Sequence, residues 1–252
     1  MLCCGLGSSL IQMFKSLLQH VARAFGYEIR KIQPLASGRD WIVDLQQLLR
    51  AERAPVSFDV GANVGQTSLR LATAFPAPAG IFTFEPASAT FAQLATALAP
   101  HPHVHPCQMA LGDKPGRLRL HHGLNSQLSR LVPIDTIATG TYEEVEVSTL
   151  DQVVARFALD RIDVLKTDTE GHDGAVLRGA SGLLQRGAIR AVVSEATFDT
   201  ANELHTRFDE IRAQLEPHGF CLHNIYDCVH WDHHMKYCNV LYLHEADFRS
   251  HT

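Results

Sequence analysis

The sequence predicts a doubly wound α/β fold: a mostly parallel seven-stranded sheet with helices on both faces, an antiparallel last strand and an N-terminal helical extension. Three observations predict it. From Val56 onward, short β-branched or aromatic runs alternate with helix-length apolar periodicities, the pattern of parallel strands joined by crossover helices. A glycine loop, Gly61-Ala62-Asn63-Val64-Gly65, joins the first of these runs to the first helical pattern. The last two runs, near 218–224 and 237–243, are separated by too few residues for a crossover helix and so must pair antiparallel.

Residues 10–25, LIQMFKSLLQHVARAF, carry apolar side chains at 10, 11, 14, 17, 18, 21, 22 and 25, the spacing of an amphipathic helix. Residues 40–50 repeat the pattern more briefly, so 1–54 reads as a helical extension or cap and 55–252 as the sheet domain. Strands are expected near 56–60, 81–85, 103–107, 162–167, 190–195, 218–224 and 237–243, with helices near 64–75, 87–98, 149–156, 173–184 and 202–215. The segment 112–148, with GRLRLHHG and EEVEVSTL as weak strand signals, reads as an insertion on the sheet edge.

Composition narrows the function. Among 252 residues, 46% are apolar, enough for a substantial core, and the formal net charge of −5 supplies no basic field for nucleic acid. Lys15 and His20 interrupt the apolar N-terminal segment, which is therefore neither a membrane span nor a good signal peptide. Six cysteines without a CxxC pair fit reduced thiols in a cytoplasm, with Cys3-Cys4 as a lipidation alternative. Oligomeric state is left open, a homodimer being one option.

In an open α/β sheet, ligands bind beyond the carboxyl ends of the strands. The first strand ends in Asp59 and enters the glycine loop, after which Gln66-Thr67-Ser68-Leu69 opens a helix. Asn63 replaces the middle glycine of the dinucleotide fingerprint, and no Gly-Lys-Ser/Thr follows to make a phosphate loop. The second strand ends in Glu85, about 20 residues on, where Rossmann-like folds place the acid that accepts ribose hydroxyls. The fourth, Ile162-Asp163-Val164-Leu165-Lys166-Thr167-Asp168, carries a lysine inside an otherwise apolar run and continues into Glu170, His172 and Asp173. Such charges are costly in a buried strand unless they are paired or used. The fifth strand ends in Glu195, beside Asp168 if the two strands are neighbours.

These pieces in this order resemble the FkbM family of S-adenosylmethionine-dependent methyltransferases. The carrying runs are FDVGANVGQTSL (58–69), FTFEP (82–86), MALGD (109–113), STLD (148–151), IDVLKTDTEGHDGAVLRGA (162–180) and VSEA (193–196), with LHNIYD (222–227) a looser fit. The resemblance implies the class I methyltransferase fold with S-adenosylmethionine as cofactor. It implies that Gly61, Asn63 and Gly65 wrap the methionine end, with Asp59 and Thr67 at the loop's two ends as further cofactor-binding residues. Glu85 would then accept the ribose hydroxyls, Ala110, Leu111 and Asp113 border the adenine, and Asp168 lie near the transferred methyl.

The implied reaction is O-methyl transfer to a hydroxyl of a small-molecule or glycan acceptor: a sugar, a glycolipid or a polyketide-type natural product. A hydroxyl acceptor calls for a base, for which His172 leads and Asp168 follows, with Lys166 and Glu170 completing the catalytic set. A divalent cation on Asp168, Glu170, Asp173 and Glu195 is the alternative to a base. Zinc on His101, His103 and His105, or on His233 and His234 between Cys228 and Cys238, has no convincing ligand spacing. Asn125, Ser126 and Gln127 in the insertion are candidate polar contacts to cofactor or substrate. Two other readings stand beside this one: an NAD-dependent oxidoreductase, whose ribose Glu85 would also suit, and a non-catalytic nucleotide-binding scaffold.

Overall fold

The computed structural model describes Val21 and residues 38–248, apart from 53, 78, 122–129, 133–141 and 203. The predicted helix over 10–25, Cys3, Cys4 and Asn125 to Gln127 therefore lie outside what is described, save for Val21. In chain order the elements are α1 (Trp41–Leu48), β1 (Val56–Val60), α2 (Gln66–Ala74), β2 (Gly80–Phe84), α3 (Ser88–Leu98) and β3 (Val104–Cys107). Then come β4 (Ala110–Leu111), β5 (Gly116–His121), β6 (Arg130–Val132), β7 (Tyr142–Ser148), α4 (Leu150–Arg156) and β8 (Ile162–Thr167). The chain ends with α5 (Asp173–Arg178), α6 (Ser181–Gln185), β9 (Ile189–Ala196), α7 (Phe208–Leu215), β10 (Phe220–Trp231), β11 (His234–His244) and α8 (Glu245–Phe248). None of the described helices is long and apolar enough to cross a membrane.

Seven strands form one sheet in the order β10-β11-β9-β8-β1-β2-β3. The pairs β1–β2, β2–β3, β1–β8 and β8–β9 are parallel, while β11 runs antiparallel to both of its neighbours, as the short connection requires. The chain moves outward from β1 to β3 and then returns to place β8 on the other side of β1. That reversal opens a crevice at the carboxyl ends of β1 and β8.

Each face of the sheet is covered. Phe58, Val60, Phe82, Phe84, Leu165 and Val192 pack against Leu150, Val153, Val176, Leu183, Ile211 and Leu215 from the helices of the second half. On the other side Ile81, Val164, Val193 and Leu241 meet Trp41, Leu45, Leu71, Leu94 and Leu98 from α1, α2 and α3. Strand β8 is buried along its whole length, which is why it reads as an apolar run. Asp163 within it is structural: its carboxylate accepts from the Val56 amide at 2.8 Å and pairs with Arg190 at 3.2 Å, at the end of the sheet away from the crevice.

Two differences from the sequence reading have clear causes. Residues 38–54, read as part of the extension, group with the sheet. Helix α1 belongs with the sheet because Trp41 and Leu45 are buried in its core and Asp44 accepts a 2.6 Å hydrogen bond from the Tyr226 hydroxyl on β10. Secondly, the segment expected on the main sheet's edge builds a sheet of its own, in the order β4-β7-β5-β6. Ala110, Leu120, Val145 and Val147 give it a small separate core with Ala87.

Candidate active site

A cavity of about 700 Å³ fills the crevice. One wall is the loop after β1, where Gly61, Asn63 and Gly65 take φ of +81°, +49° and +99°. The glycine at 61 is required by contact as well as by conformation, since a Cβ there would lie 1.9 Å from the carbonyl oxygen of Asp168. The Gly61 and Ala62 amides both donate to the Phe84 carbonyl, at 3.0 and 2.9 Å, and so bind the loop to the end of β2. Asp59 sits beneath the loop, not on the cavity: it is 1% exposed and accepts from the Ser68 hydroxyl at 2.6 Å. Gly65 begins α2 and packs near Leu94, while Thr67 reaches the cavity wall.

Glu85 closes this end. Its carboxylate accepts from the amides of Asn63 (3.1 Å) and Ala87 (2.9 Å). Burial holds its pKa above the usual carboxylate range, against the opposing effect of those two amides. Pro86, Met109, Ala110 and Leu111 continue the wall. Among the described residues two polar atoms at the cavity are buried without a protein partner, Asn63 Oδ1 and Thr169 Oγ1. Buried polar atoms are normally satisfied, so each is an open position for a ligand group.

The other end is acidic. Asp168 Oδ2 lies 2.9 Å from Lys166 Nζ, the lysine side chain being 3% exposed and the aspartate 39%. Burial alone works against the Lys166 ammonium, but Asp168 and Asp59 outweigh it and raise its pKa. Burial likewise pushes Asp168 up, and Lys166 more than reverses this, so the carboxylate stays ionised. Glu170 lies at a left-handed position, φ +51°, followed by Gly171 at +87°. Burial first, then the charges of Glu195 and Asp168, lift its pKa to about 7. Glu195 at the end of β9 is held up by burial too, against its bond to His205, whose Nε2 stands 3.2 Å from Glu195 Oε2.

His205 lies within a predicted helix, 202–215, which in fact begins at Phe208. The preceding loop is pinned by Thr197, whose hydroxyl donates to the Lys236 carbonyl at 2.6 Å and whose backbone pairs with Thr206. Asn202 Oδ1 accepts from the Leu204 amide at 2.9 Å and faces His205 Nδ1 at 3.1 Å, while its Nδ2 donates to Lys236. Nδ1 therefore carries a hydrogen, and Nε2 is the nitrogen that shares a proton with Glu195.

A profile of the methyltransferase FkbM domain matches residues 59–222. The chain belongs to the FkbM methyltransferase family. No curated protein sequence matches it. Its fold is similar to that of a methyltransferase FkbM from Methylobacillus flagellatus KT, with 16% identity and a TM-score of 0.51 over 76% of this chain. The chain spans 44% of that protein's length. Also similar are fibrillarin from Aeropyrum pernix with natively bound S-adenosyl-L-methionine (14% identity, 76% of this chain, 67% of the other, TM-score 0.46) and magnesium protoporphyrin IX methyltransferase from Synechocystis PCC 6803 (11%, 79% and 75%, 0.42).

In this member of the FkbM methyltransferase family the crevice gathers Gly61, Asn63, Thr67, Glu85, Ala110, Leu111, Asp168, Glu170 and Glu195 around one cavity. Lys166 stands directly behind Asp168. His172 and Asp113 are not on the wall. The two left-handed residues 170 and 171 turn the chain so that the imidazole packs against Gly112, its Nε2 3.1 Å from where a Cβ of that glycine would be. Asp113 faces Arg178, 3.9 Å away. Asp173 is buried at the start of α5 and accepts from the Thr206 hydroxyl at 3.3 Å. Among the described residues no group of three His, Cys, Asp or Glu is arranged to hold a metal ion, so neither the divalent-cation nor the zinc alternative gains support. Cys107, Cys221, Cys228 and Cys238 are free thiols.

Proposed function

We propose that this methyltransferase uses S-adenosylmethionine to methylate a hydroxyl of a sugar, glycolipid or polyketide-type acceptor. The charge of the cavity wall carries the reading. Glu85, Asp168, Glu170 and Glu195 line it, with no lysine or arginine among the described lining residues. S-adenosylmethionine bears a positive sulfonium and no phosphate, and is attracted by such a wall. The pyrophosphate of NAD would meet like charge there without a cation to offset it, which argues against an oxidoreductase.

The residues present fit the cofactor. Glu85 is a fixed acceptor for ribose hydroxyls, the unpartnered Asn63 Oδ1 for the amino group, and the glycine turn at Gly61 leaves space that a Cβ would fill. The cofactor supplies an electrophilic methyl. The chain's own work is to orient the acceptor, exclude water and take a proton.

Glu170 takes the proton in this reading. A base acts best with a pKa near the working pH, and Glu170, at about 7, lines the cavity. Asp168, kept ionised by Lys166, is the weaker base and orients the acceptor. His172, packed on Gly112, does not take part. Calorimetry with S-adenosylmethionine tests the cofactor, and methyl transfer to a panel of hydroxylated acceptors tests the reaction. Binding that Glu85→Ala weakens, with turnover of at least one acceptor, is expected. No binding by the native chain would overturn the proposal, and binding without transfer would favour the scaffold reading.

A further inference from the structure

The cofactor contacts leave one part of the cavity lining unexplained. There the β10–β11 hairpin brings Trp231 and Tyr237, and the loop after β9 brings Leu204 and His205. Trp231 is 66% exposed, the most exposed of the large apolar side chains among the described residues, and Leu204 is 39% exposed. Asp232 and His233, with φ of +48° and +67°, form a two-residue hairpin turn directly after Trp231, which pairs with His234 across it. The indole is thus carried at the end of a hairpin whose register shifts just before it, between Val229 and His230. Tyr237 lies flat on His205, with 4.3 Å between ring centroids and 15° between planes. Glu170 and Glu195 line the same cavity, and Glu195 stands 3.2 Å from His205.

A single exposed tryptophan is an ordinary surface feature. Here it lines a cavity that carboxylates also line, so one ligand can meet a flat apolar face and hydrogen-bond acceptors together. We infer that this wall is the acceptor subsite and that it takes an uncharged sugar ring, its C–H face stacked on Trp231 and its hydroxyls donating to Glu170 and Glu195. The inference rests on the methyltransferase reading and adds the class of acceptor.

Three other acceptor chemistries fit less well. An aliphatic surface offers no donor to Glu170 and none beyond His205 to Glu195. A phosphorylated or uronic acid sugar brings negative charge against Asp168, Glu170 and Glu195, with no lysine or arginine on the described wall. An ammonium competes with Lys166 and His205, which already sit on Asp168 and Glu195. A hydroxylated ring satisfies the acceptors and adds no charge.

The indole itself reports the test. Trp41, the other tryptophan, is 2% exposed. The full chain, saturated with S-adenosylhomocysteine, is titrated with methyl pyranosides of glucose, galactose, mannose and rhamnose, and in parallel with methyl glucuronoside and glucosamine. At least one neutral pyranoside should shift the tryptophan emission to the blue, and Trp231→Phe should abolish the shift while S-adenosylhomocysteine still binds. The glucuronoside should bind at least tenfold more weakly than that pyranoside. No response to any neutral pyranoside, a shift that persists in Trp231→Phe, or tighter binding of the glucuronoside or glucosamine would overturn the inference. Calorimetry keeps the two readings apart: S-adenosylhomocysteine binding without a sugar response sinks the acceptor class alone, and absence of binding sinks both.

Discussion

Lys166 Nζ and Asp168 Oδ2 are 2.9 Å apart, with the lysine almost wholly enclosed beneath the cavity and the aspartate facing into it. The pair fixes a negative charge at the carboxyl end of β8, and Lys166 also offsets the buried carboxyl of Asp59, whose pKa burial raises.

Removing the lysine should therefore destabilise the fold as well as the site. Lys166→Met leaves the buried Asp59 without its counter-charge and Asp168, 39% exposed, without its nearest one, a change expected to cost about 1–3 kcal/mol. Denaturant unfolding at pH 7 measures it, and the deficit should shrink as pH falls and the carboxyls take up protons. Lys166→Met combined with Asp168→Asn should recover part of the loss.

Glu85 should govern cofactor affinity and also contribute to the fold through the two amides that it accepts from. Glu85→Gln retains one acceptor but sets an amide NH₂ against one of the two amides of Asn63 and Ala87. The expected loss is about 1.5–3 kcal/mol in binding S-adenosylmethionine, or roughly tenfold to a hundredfold in Kd. Calorimetry reads the affinity and thermal unfolding the fold.

Asn63→Gly separates backbone from side chain. Its φ of +49° suits glycine, so the loop should keep its path and the unfolding midpoint stay close to native. Loss of the otherwise unpartnered Oδ1 should weaken S-adenosylmethionine binding measurably, and no NAD binding should appear.

Glu170 ties activity and stability to pH in opposite directions. If its ionised form takes the acceptor's proton, kcat/KM rises with pH through about 7, and Glu170→Gln loses that limb. The stability sign follows from linkage. A carboxyl whose folded pKa is raised from 4.5 to about 7 binds more protons folded than unfolded between those values, so stability falls as pH rises across that window. Glu170→Gln should consequently raise Tm more at pH 8 than at pH 4.

His172 offers a contrast. With its ring against Gly112 and outside the cavity, His172→Ala should cost about 1 kcal/mol of stability through lost packing and leave the pH profile of methyl transfer unchanged. A lost basic limb in that variant would return the base to His172.

Much of the architecture was legible in the residues. The apolar runs at 56–60 and 162–167 are β1 and β8 with the expected bounds, and the short connection before β11 forced its antiparallel place. The helix expected over 202–215 starts only at Phe208, because Asn202, His205 and Thr206 have ordinary helix spacing but make tertiary hydrogen bonds that hold the chain in bends. His205 was missed with them; its one sequence signal was a polar residue soon after Glu195, too weak to separate from a helix surface.

By itself, then, the sequence determined the sheet, the glycine turn and the ordered series of acids at the strand ends, because strand periodicity and left-handed turns are local properties of the chain. Which of those acids share a cavity was decided only in three dimensions. Two positive φ angles at residues 170 and 171 accompany a turn that leaves Glu170 on the cavity wall and His172 off it, and a loop pinned by Thr197 brought His205 onto Glu195. Side-chain direction after a turn, and contact between residues distant in sequence, depend on packing that no single stretch of residues encodes.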